Sequence, residues 1–296
     1  MRSLVVGSAA LMIFSTGTGC SSITATRSTE EATMPKETTR HERGLATLRQ
    51  VGGSNYDAPL TVLADIAPDL ARFTVDFAYG DVLSRPGLDL KTRQLCTVAA
   101  LAAIGNAQPQ LRYHIDGALN LEWPPAEILE AVMLSTVYAG FPAALNGVTA
   151  AREVFQRRNL MPISAAGDDR LGISGDRYAR GLQALERVSA GSGQAVIKSL
   201  EDIAPDLARF IIEFSYGDVI SRQLLDDRTK ELATVALLAA LGTAQPQLRV
   251  HISAARNVGA SREQIVEAIQ QMAVYAGFPA ALNGISAARE VFANRS

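Results

Sequence analysis

Two histidines recur at equivalent positions and are the side chains best suited to move protons. His114 and His251 follow Gln110 and Gln247, respectively, by four residues. Residues four apart share one helix face, so each imidazole is predicted to have an amide beside it. Imidazole exchanges protons near neutral pH, and an amide donates to a carboxylate or carbonyl. The spacing indicates two equivalent places where an imidazole and an amide act side by side, although a repeated, hydrogen-bonded core histidine would give the same pattern.

Two arginines lie close in sequence to these histidines but point elsewhere. Arg112 and Arg249 each stand two residues before a histidine. Residues two apart do not face each other on a helix, which excludes an arginine–histidine clamp within one helix. Both arginines remain candidates for substrate binding. The alternatives are an ion pair of Arg112 with Asp116 or a contact to a neighbouring subunit.

The elements that must position these residues are written twice in the chain. The stretch 66–73 returns as 203–210, and the other repeated stretches keep the same offset of 137 residues. An internal repeat of this length indicates two copies of one structural unit. We therefore predict domains at 44–155 and 181–292, which we call repeat one and repeat two, joined by a linker at 156–180.

Each repeat reads as helical. A segment with apolar residues at helical spacing begins at Asp89 or Lys91 and ends at Gly105, and 226–242 repeats it. Ser261 with Gln264 forms the pattern of a capping box. No stretch alternates polar and apolar residues over the length of a strand, so the fold class is all-α.

The composition limits which partners and cofactors the protein is expected to bind. The chain is 48% hydrophobic with a net charge of -2, which predicts a buried core and no nucleic-acid partner. Three histidines and two cysteines exclude a four-cysteine zinc site and argue against a histidine-rich metal centre. Neither a metal nor a cofactor is expected.

The N-terminus has the pattern of an export signal. Arg2 precedes an apolar run at 4–14, which is too short to span a membrane. The segment 1–19 resembles a bacterial lipoprotein signal with Cys20 as the lipidated residue, although Gly17 stands where leucine is usual. An ordinary cleaved signal and a misassigned start are the alternatives. We expect a flexible tether at 20–43, a periplasmic or membrane-anchored protein, and membrane contact only through the lipid.

Several motifs resemble the carboxymuconolactone decarboxylase family of the alkylhydroperoxidase D-like superfamily. They are Phe-Ala-Tyr-Gly-Asp-Val at 77–82, Ser-Arg-Pro-Gly-Leu-Asp at 84–89, His-Ile at 114–115 and the stretch 138–146, most of which recur in repeat two. The resemblance implies two tandem all-α bundles and a homo-oligomer. Because known members are often hexamers of paired subunits, three tandem chains would form a pseudo-hexamer.

The resemblance also implies a reaction, the cofactor-free decarboxylation of a lactone acid of the 4-carboxymuconolactone type. His114 and His251 are the implied proton donors. Glu231 resembles an acidic residue that the redox branch of the superfamily uses as a proton relay, and repeat one has Gln94 there. We therefore expect repeat two to hold the complete site.

Two other functions stay open. An antioxidant, peroxidase-type activity would need the Cys-x-x-Cys of the redox branch, but Gln110 and Gln247 stand where its second thiol belongs. Cys96 is then the one thiol left for such chemistry, and we expect it to be a small buried core residue. A binding or assembly module without catalysis is the third hypothesis.

Overall fold

The computed structural model describes residues 38–163, 173–191 and 193–293, which belong to one compact unit. The described residues contain helices and no strand, which confirms the all-α prediction. None of their helices is long and apolar enough to cross a membrane. The predicted signal, Cys20 and residues 20–37 of the predicted tether lie outside this part of the chain, as does 164–172 in the predicted linker. The tether prediction is wrong for its last residues, because a helix begins at Arg40.

Repeat one is a bundle of helices joined by short turns. Its helices are α1 (Arg40–Gly52), α2 (Ala58–Thr61), α3 (Pro68–Phe73) with a π-helical continuation (Thr74–Leu83), α4 (Leu90–Ile104), α5 (Gln108–Asn120), α6 (Pro125–Tyr138) and α7 (Phe141–Arg157), with a 3-10 turn at Gly53–Asn55. The predicted boundaries of α4 are confirmed. The Asp89 side chain accepts from the Thr92 N–H, and Gly105 takes the left-handed conformation that ends the helix.

Repeat two follows the same order. Its helices are α8 (Arg177–Ser189), α9 (Gly193–Lys198), α10 (Pro205–Phe210) with a π-helical continuation (Ile211–Ile220), α11 (Asp227–Leu241), α12 (Gln245–Asn257), α13 (Arg262–Gln270), α14 (Met272–Tyr275) and α15 (Phe278–Ala293). The predicted capping box is present, because Ser261 and Gln264 each bond the other's backbone N–H. The shared helix order shows that the sequence repeat is also a structural repeat.

The largest hydrophobic cluster contains residues of both repeats. Helices α4 and α11 pack directly on each other and bury small side chains on both sides of the contact, including Ala99, Ala103, Ala236 and Ala240. Small side chains allow helix axes to approach closely. The C-terminal end of α6 in repeat one therefore lies near repeat two, and α14 of repeat two lies near repeat one.

Buried ion pairs cross the boundary between the repeats. The Arg93 guanidinium lies 2.7 Å from Glu267, and Arg222 lies 2.6 Å from Glu130. All but Arg222 are almost fully buried. Arg85 also binds Glu267, at 2.8 Å, so removing Glu267 would leave the buried Arg93 without an acidic partner. These ion pairs therefore fix how the repeats are oriented.

The π-helical segment of repeat two is held against α8 by a glycine. A Cβ atom at Gly181 would lie 2.0 Å from the Ile212 carbonyl oxygen, and at this position only glycine fits. Gly44 is equivalent in repeat one, 2.1 Å from the Val75 oxygen. This close approach sets the position of the π-helical segment, which forms one wall of the site described next.

Candidate functional site

Repeat two brings an acid and an imidazole together inside the protein. Glu231 lies in the second turn of α11, whose start is fixed by Asp226 accepting from the Thr229 N–H at 2.9 Å. His251 lies in the middle of α12, which begins with Pro246 in its first turn. The exposed fractions are 1% for Glu231 and 5% for His251. Both side chains are therefore shielded from bulk water.

These two residues form a direct hydrogen bond. His251 Nδ1 lies 2.7 Å from Glu231 Oε2. A hydrogen bond at this distance holds the imidazole ring in one orientation and places a negative charge beside it. Because solvent screens a buried pair less than an exposed one, the interaction is stronger here than at a surface. Glu231 can thus supply the charge that a proton-donating histidine needs.

The other nitrogen of His251 is bound by a residue from repeat one. Tyr138, the last residue of α6, places its hydroxyl oxygen 3.0 Å from His251 Nε2. The two rings meet edge to face, with centroids 5.1 Å apart and an interplanar angle of 86°. Residues from both repeats therefore form a single chain of hydrogen bonds from Glu231 through His251 to Tyr138.

The phenols around this chain stay protonated. Burial raises the pKa of Tyr138 well above its usual value, and the charge of Glu231 raises it further. Burial and then Glu231 raise the pKa of Tyr216 in the same way. Both groups are therefore hydroxyl donors throughout the physiological pH range.

A cavity of about 330 Å³ lies against His251 and Tyr138. This volume is at the small end of the range for ligand-binding pockets. Its wall is mostly apolar and comes from both repeats: Val137, Tyr138, Leu185, Gly193, Val196, Ile197, Ile211, Ser215, Tyr216, Ile220, Pro246, Gln247, Val250 and His251. None of these described lining residues is Lys or Arg. A bound acid would meet hydroxyl, amide and imidazole groups rather than a fixed cation.

Repeat one has the same helices but a different hydrogen bond. His114 Nδ1 lies 2.6 Å from Gln94 Nε2, at the position where repeat two has Glu231. An amide carries no charge that could stabilise an imidazolium. Burial lowers the pKa of His114 to about 3. His114 is therefore neutral at physiological pH and cannot donate a proton as an imidazolium.

A tyrosine also fills space beside His114. The Tyr113 ring lies edge-on to the His114 ring, with centroids 5.4 Å apart, and its hydroxyl lies 3.5 Å from the Tyr56 carbonyl oxygen. The equivalent residue in repeat two is Val250, which lines the cavity. Replacing a valine by a tyrosine at this place adds a ring and a hydroxyl where repeat two has open volume.

The two glutamines on the histidine helices have different surroundings. Gln247 lines the cavity and is exposed, so it lies at the cavity mouth on the same helix as His251. Gln110 is exposed at the equivalent position of repeat one. The structure thus brings Gln247, His251 and Glu231 of the predicted site residues together in repeat two.

The predicted arginines lie outside this group. Arg112 pairs with Glu153 at 3.2 Å, and Arg249 pairs with Glu290 at 3.3 Å, both on the last helix of their own repeat. The ion pair of Arg112 with Asp116 is wrong, because Arg158 takes Asp116 at 2.6 Å. Arg112 and Asp116 therefore each pair with a residue outside their own helix.

The remaining thiol is not reactive. Cys96 is fully buried on α4, and burial raises the pKa of its thiol to about 12. The thiolate is the reactive form of cysteine, so this residue lacks the nucleophile that peroxide reduction requires. In the described ranges, no three or more His, Cys, Asp or Glu residues are grouped as metal ligands would be.

The chain belongs to the carboxymuconolactone decarboxylase family. The sequence profile of that family matches residues 68–153 and again 205–290, together more than half of the chain. Both matches include the histidine helix and the tyrosine that reaches across to the other repeat. The tandem arrangement expected from the repeat is therefore confirmed.

Similar proteins include two decarboxylases. The chain is 35% identical over 124 residues to 4-carboxymuconolactone decarboxylase of Acinetobacter baylyi, covering 42% of this chain and 92% of that protein. It is 32% identical over 109 residues to nitrosuccinic acid decarboxylase of Metarhizium robertsii, covering 36% of this chain and 75% of that protein. It is also 28% identical over 148 residues to peroxisomal protein 2 of Schizosaccharomyces pombe, covering 48% and 65%. The family and the two decarboxylases support a decarboxylase-like function.

Proposed function

We propose that repeat two is a cofactor-free decarboxylase of a small lactone acid of the 4-carboxymuconolactone type. The observation that carries this proposal is the hydrogen bond between Glu231 and His251 at the wall of a small, mostly apolar cavity. Decarboxylation needs a place for the carboxylate and a proton for the carbon that loses it. The cavity and the paired imidazole supply these two requirements.

The chemistry proceeds without an external electron acceptor. The bond from carbon to the carboxylate breaks, carbon dioxide leaves, and the electron pair passes into the conjugated lactone as an enolate-like anion. The protonated His251, held by Glu231, supplies the proton, and a new carbon–hydrogen bond forms on this anion in place of the broken carbon–carbon bond. A proton from solvent then restores the imidazolium, so atoms and charge balance over the cycle.

The apolar wall suits this reaction. A carboxylate that leaves water for such a wall loses hydration, whereas carbon dioxide has no charge to solvate. The Gln247 amide at the cavity mouth can orient the acid by hydrogen bonding. A cation bound tightly to the carboxylate would stabilise the starting state more than the transition state, and the described lining has none.

The test is to assay the purified protein on 4-carboxymuconolactone while measuring carbon dioxide release. We expect turnover by the parent and by Cys96→Ser, and a loss of about 100-fold or more for His251→Ala. Activity that persists in His251→Ala would contradict the proposal. Peroxide consumption that disappears in Cys96→Ser would favour the antioxidant alternative instead.

We further propose that the protein is a homo-oligomer, with three chains forming a pseudo-hexamer. Large apolar side chains are exposed at matching positions of the two repeats, as an interface repeated around a ring requires. They are Ile66 and Ile203, Leu70 and Leu207, Phe73 and Phe210, Phe141 and Phe278, and Leu145 and Leu282. Light scattering on the eluted protein should give three times the chain mass, and a monomer would contradict this proposal.

Export through a lipid anchor also remains our proposal. It rests on the apolar run at 4–14 and on Cys20, outside the described residues. Expression of the full chain should place it in the membrane fraction, and Cys20→Ala should release it or leave it unprocessed. Equal fractionation of both proteins would contradict lipidation at Cys20.

A further inference from the structure

Both ring nitrogens of His251 already have partners. Nδ1 faces Glu231 at 2.7 Å, and Nε2 faces the Tyr138 hydroxyl at 3.0 Å. A substrate could reach Nε2 only by displacing the phenol. Tyr138 lines the cavity together with His251 and is only partly buried, so a ligand in the cavity can contact the phenol that already occupies Nε2.

We propose that Tyr138, contributed by repeat one, is the catalytic residue that hands the proton to the substrate in repeat two. This inference rests on the proposed function. The Oη–H bond of Tyr138 breaks as a carbon–hydrogen bond forms with the electron pair left by carbon dioxide. In the same step the Nε2 proton of the His251 imidazolium moves to Oη, and a solvent proton later restores the imidazolium.

The surroundings of the Tyr138 hydroxyl explain why the two proton transfers occur in one step. A bare phenolate would be costly here, because its oxygen is shielded from water and Glu231 is nearby. A proton arriving from His251 removes that cost, since the phenol is never left charged. Glu231 contributes by holding the imidazolium from which this proton comes.

Repeat one contains a natural control for this arrangement. Tyr275 of repeat two meets His114 with ring centroids 5.1 Å apart at 88°, which matches the geometry of Tyr138 and His251. Gln94 there replaces the acid, so His114 has no extra proton to pass on. Tyr138 and Tyr275 thus meet their histidines with the same ring geometry, but only His251 has a carboxylate bound to its other nitrogen.

The test compares Tyr138→Phe with Tyr275→Phe in the full chain, after checking that both variants keep the parent's melting temperature within about 4 °C. Two rates are measured: carbon dioxide release from 4-carboxymuconolactone, and exchange of the acidic ring hydrogens of a simple butenolide in D2O, followed by NMR. The second reaction moves protons without decarboxylation. We expect Tyr138→Phe to lower kcat by about 100-fold or more in both assays, and Tyr275→Phe to stay within about threefold of the parent.

Each outcome decides between the two proposals. Carbon dioxide release by Tyr138→Phe at the parent's rate would overturn the role of Tyr138 and leave the decarboxylase proposal standing. Exchange that depends on Tyr138, in a parent that releases no carbon dioxide, would support proton transfer by Tyr138 and contradict the decarboxylase. Equal losses in both variants would mean that the tyrosines act by packing alone. A parent inactive in both assays would overturn both proposals.

Discussion

Repeat one and repeat two share the same helices but differ in the chemistry of their histidines. In repeat two a carboxylate, Glu231, stands against His251, and Val250 leaves a cavity beside it. In repeat one Gln94 stands against His114, and Tyr113 packs beside that ring. Two substitutions near each histidine give His251 a carboxylate and a cavity beside it, and give His114 an amide and a tyrosine ring. Duplication thus permits one copy to serve as scaffold while the other keeps a site.

The cavity of repeat two depends on repeat one, because repeat one contributes residues to it. Repeat one supplies Tyr138 and Val137 to the repeat-two cavity. Its Glu130 also binds Arg222, next to the π-helical wall of that cavity. The buried ion pairs across the boundary hold this shared geometry. Repeat two alone would therefore lack part of its own site.

The largest expected effect comes from making repeat two resemble repeat one. Glu231→Gln keeps the shape but removes the charge behind His251. We expect kcat on the lactone acid to fall by about 1000-fold. The matched change, Gln94→Ala, should leave kcat within about threefold of the parent. Equal, negligible effects of both variants would remove the assigned difference between the repeats.

A second change tests whether space matters as well as charge. Val250→Tyr places in repeat two the side chain that repeat one has beside its histidine. The added ring should fill much of the cavity, and we expect kcat/KM to fall by about 100-fold. The control is Tyr113→Val, which should alter stability but not turnover. Unchanged kcat/KM in Val250→Tyr would show that the substrate binds elsewhere.

The neutral histidine of repeat one predicts an acid-sensitive stability. Burial lowers the pKa of His114 from 6.5 to about 3, so between these values the unfolded chain binds a proton that the folded chain does not. The free energy of unfolding therefore falls as the pH drops below 6.5, and the His114 contribution lost by pH 5 is about 2 kcal/mol. Urea unfolding at pH 7 and pH 5 measures this loss. His114→Asn should lack this part of the pH dependence, and an identical pH dependence in both proteins would contradict the assignment.

Local chemistry was predictable from the sequence, whereas contacts between distant segments were not. The caps at Asp89 and Ser261 depend on neighbouring residues and were confirmed. The ion pair of Arg112 with Asp116 was also a local prediction and was wrong, because Glu153 and Arg158 on or after α7 compete for these groups. Local pairing fails where a neighbouring helix brings stronger partners.

The role of Tyr138 in the site was hidden for the same reason. Tyr138 ends α6, just before Gly140 and Pro142, and nothing in this local sequence indicates a contact with the other repeat. The repeat offset marked Tyr138 and Tyr275 as a pair but gave no indication of which histidine each one meets. Each tyrosine meets the histidine of the other repeat because of how α4 packs on α11. No local sequence pattern specifies that packing.

The most direct test of the difference between the repeats compares the two histidines in one assay. Carbon dioxide release from 4-carboxymuconolactone is measured for His251→Ala and His114→Ala, each checked for folding by its thermal melt. The neutral, packed His114 should be nearly silent, so His114→Ala should keep at least a third of the parent rate, whereas His251→Ala should lose about 100-fold or more. Equal losses in the two variants would contradict an account in which repeat two alone carries the working site.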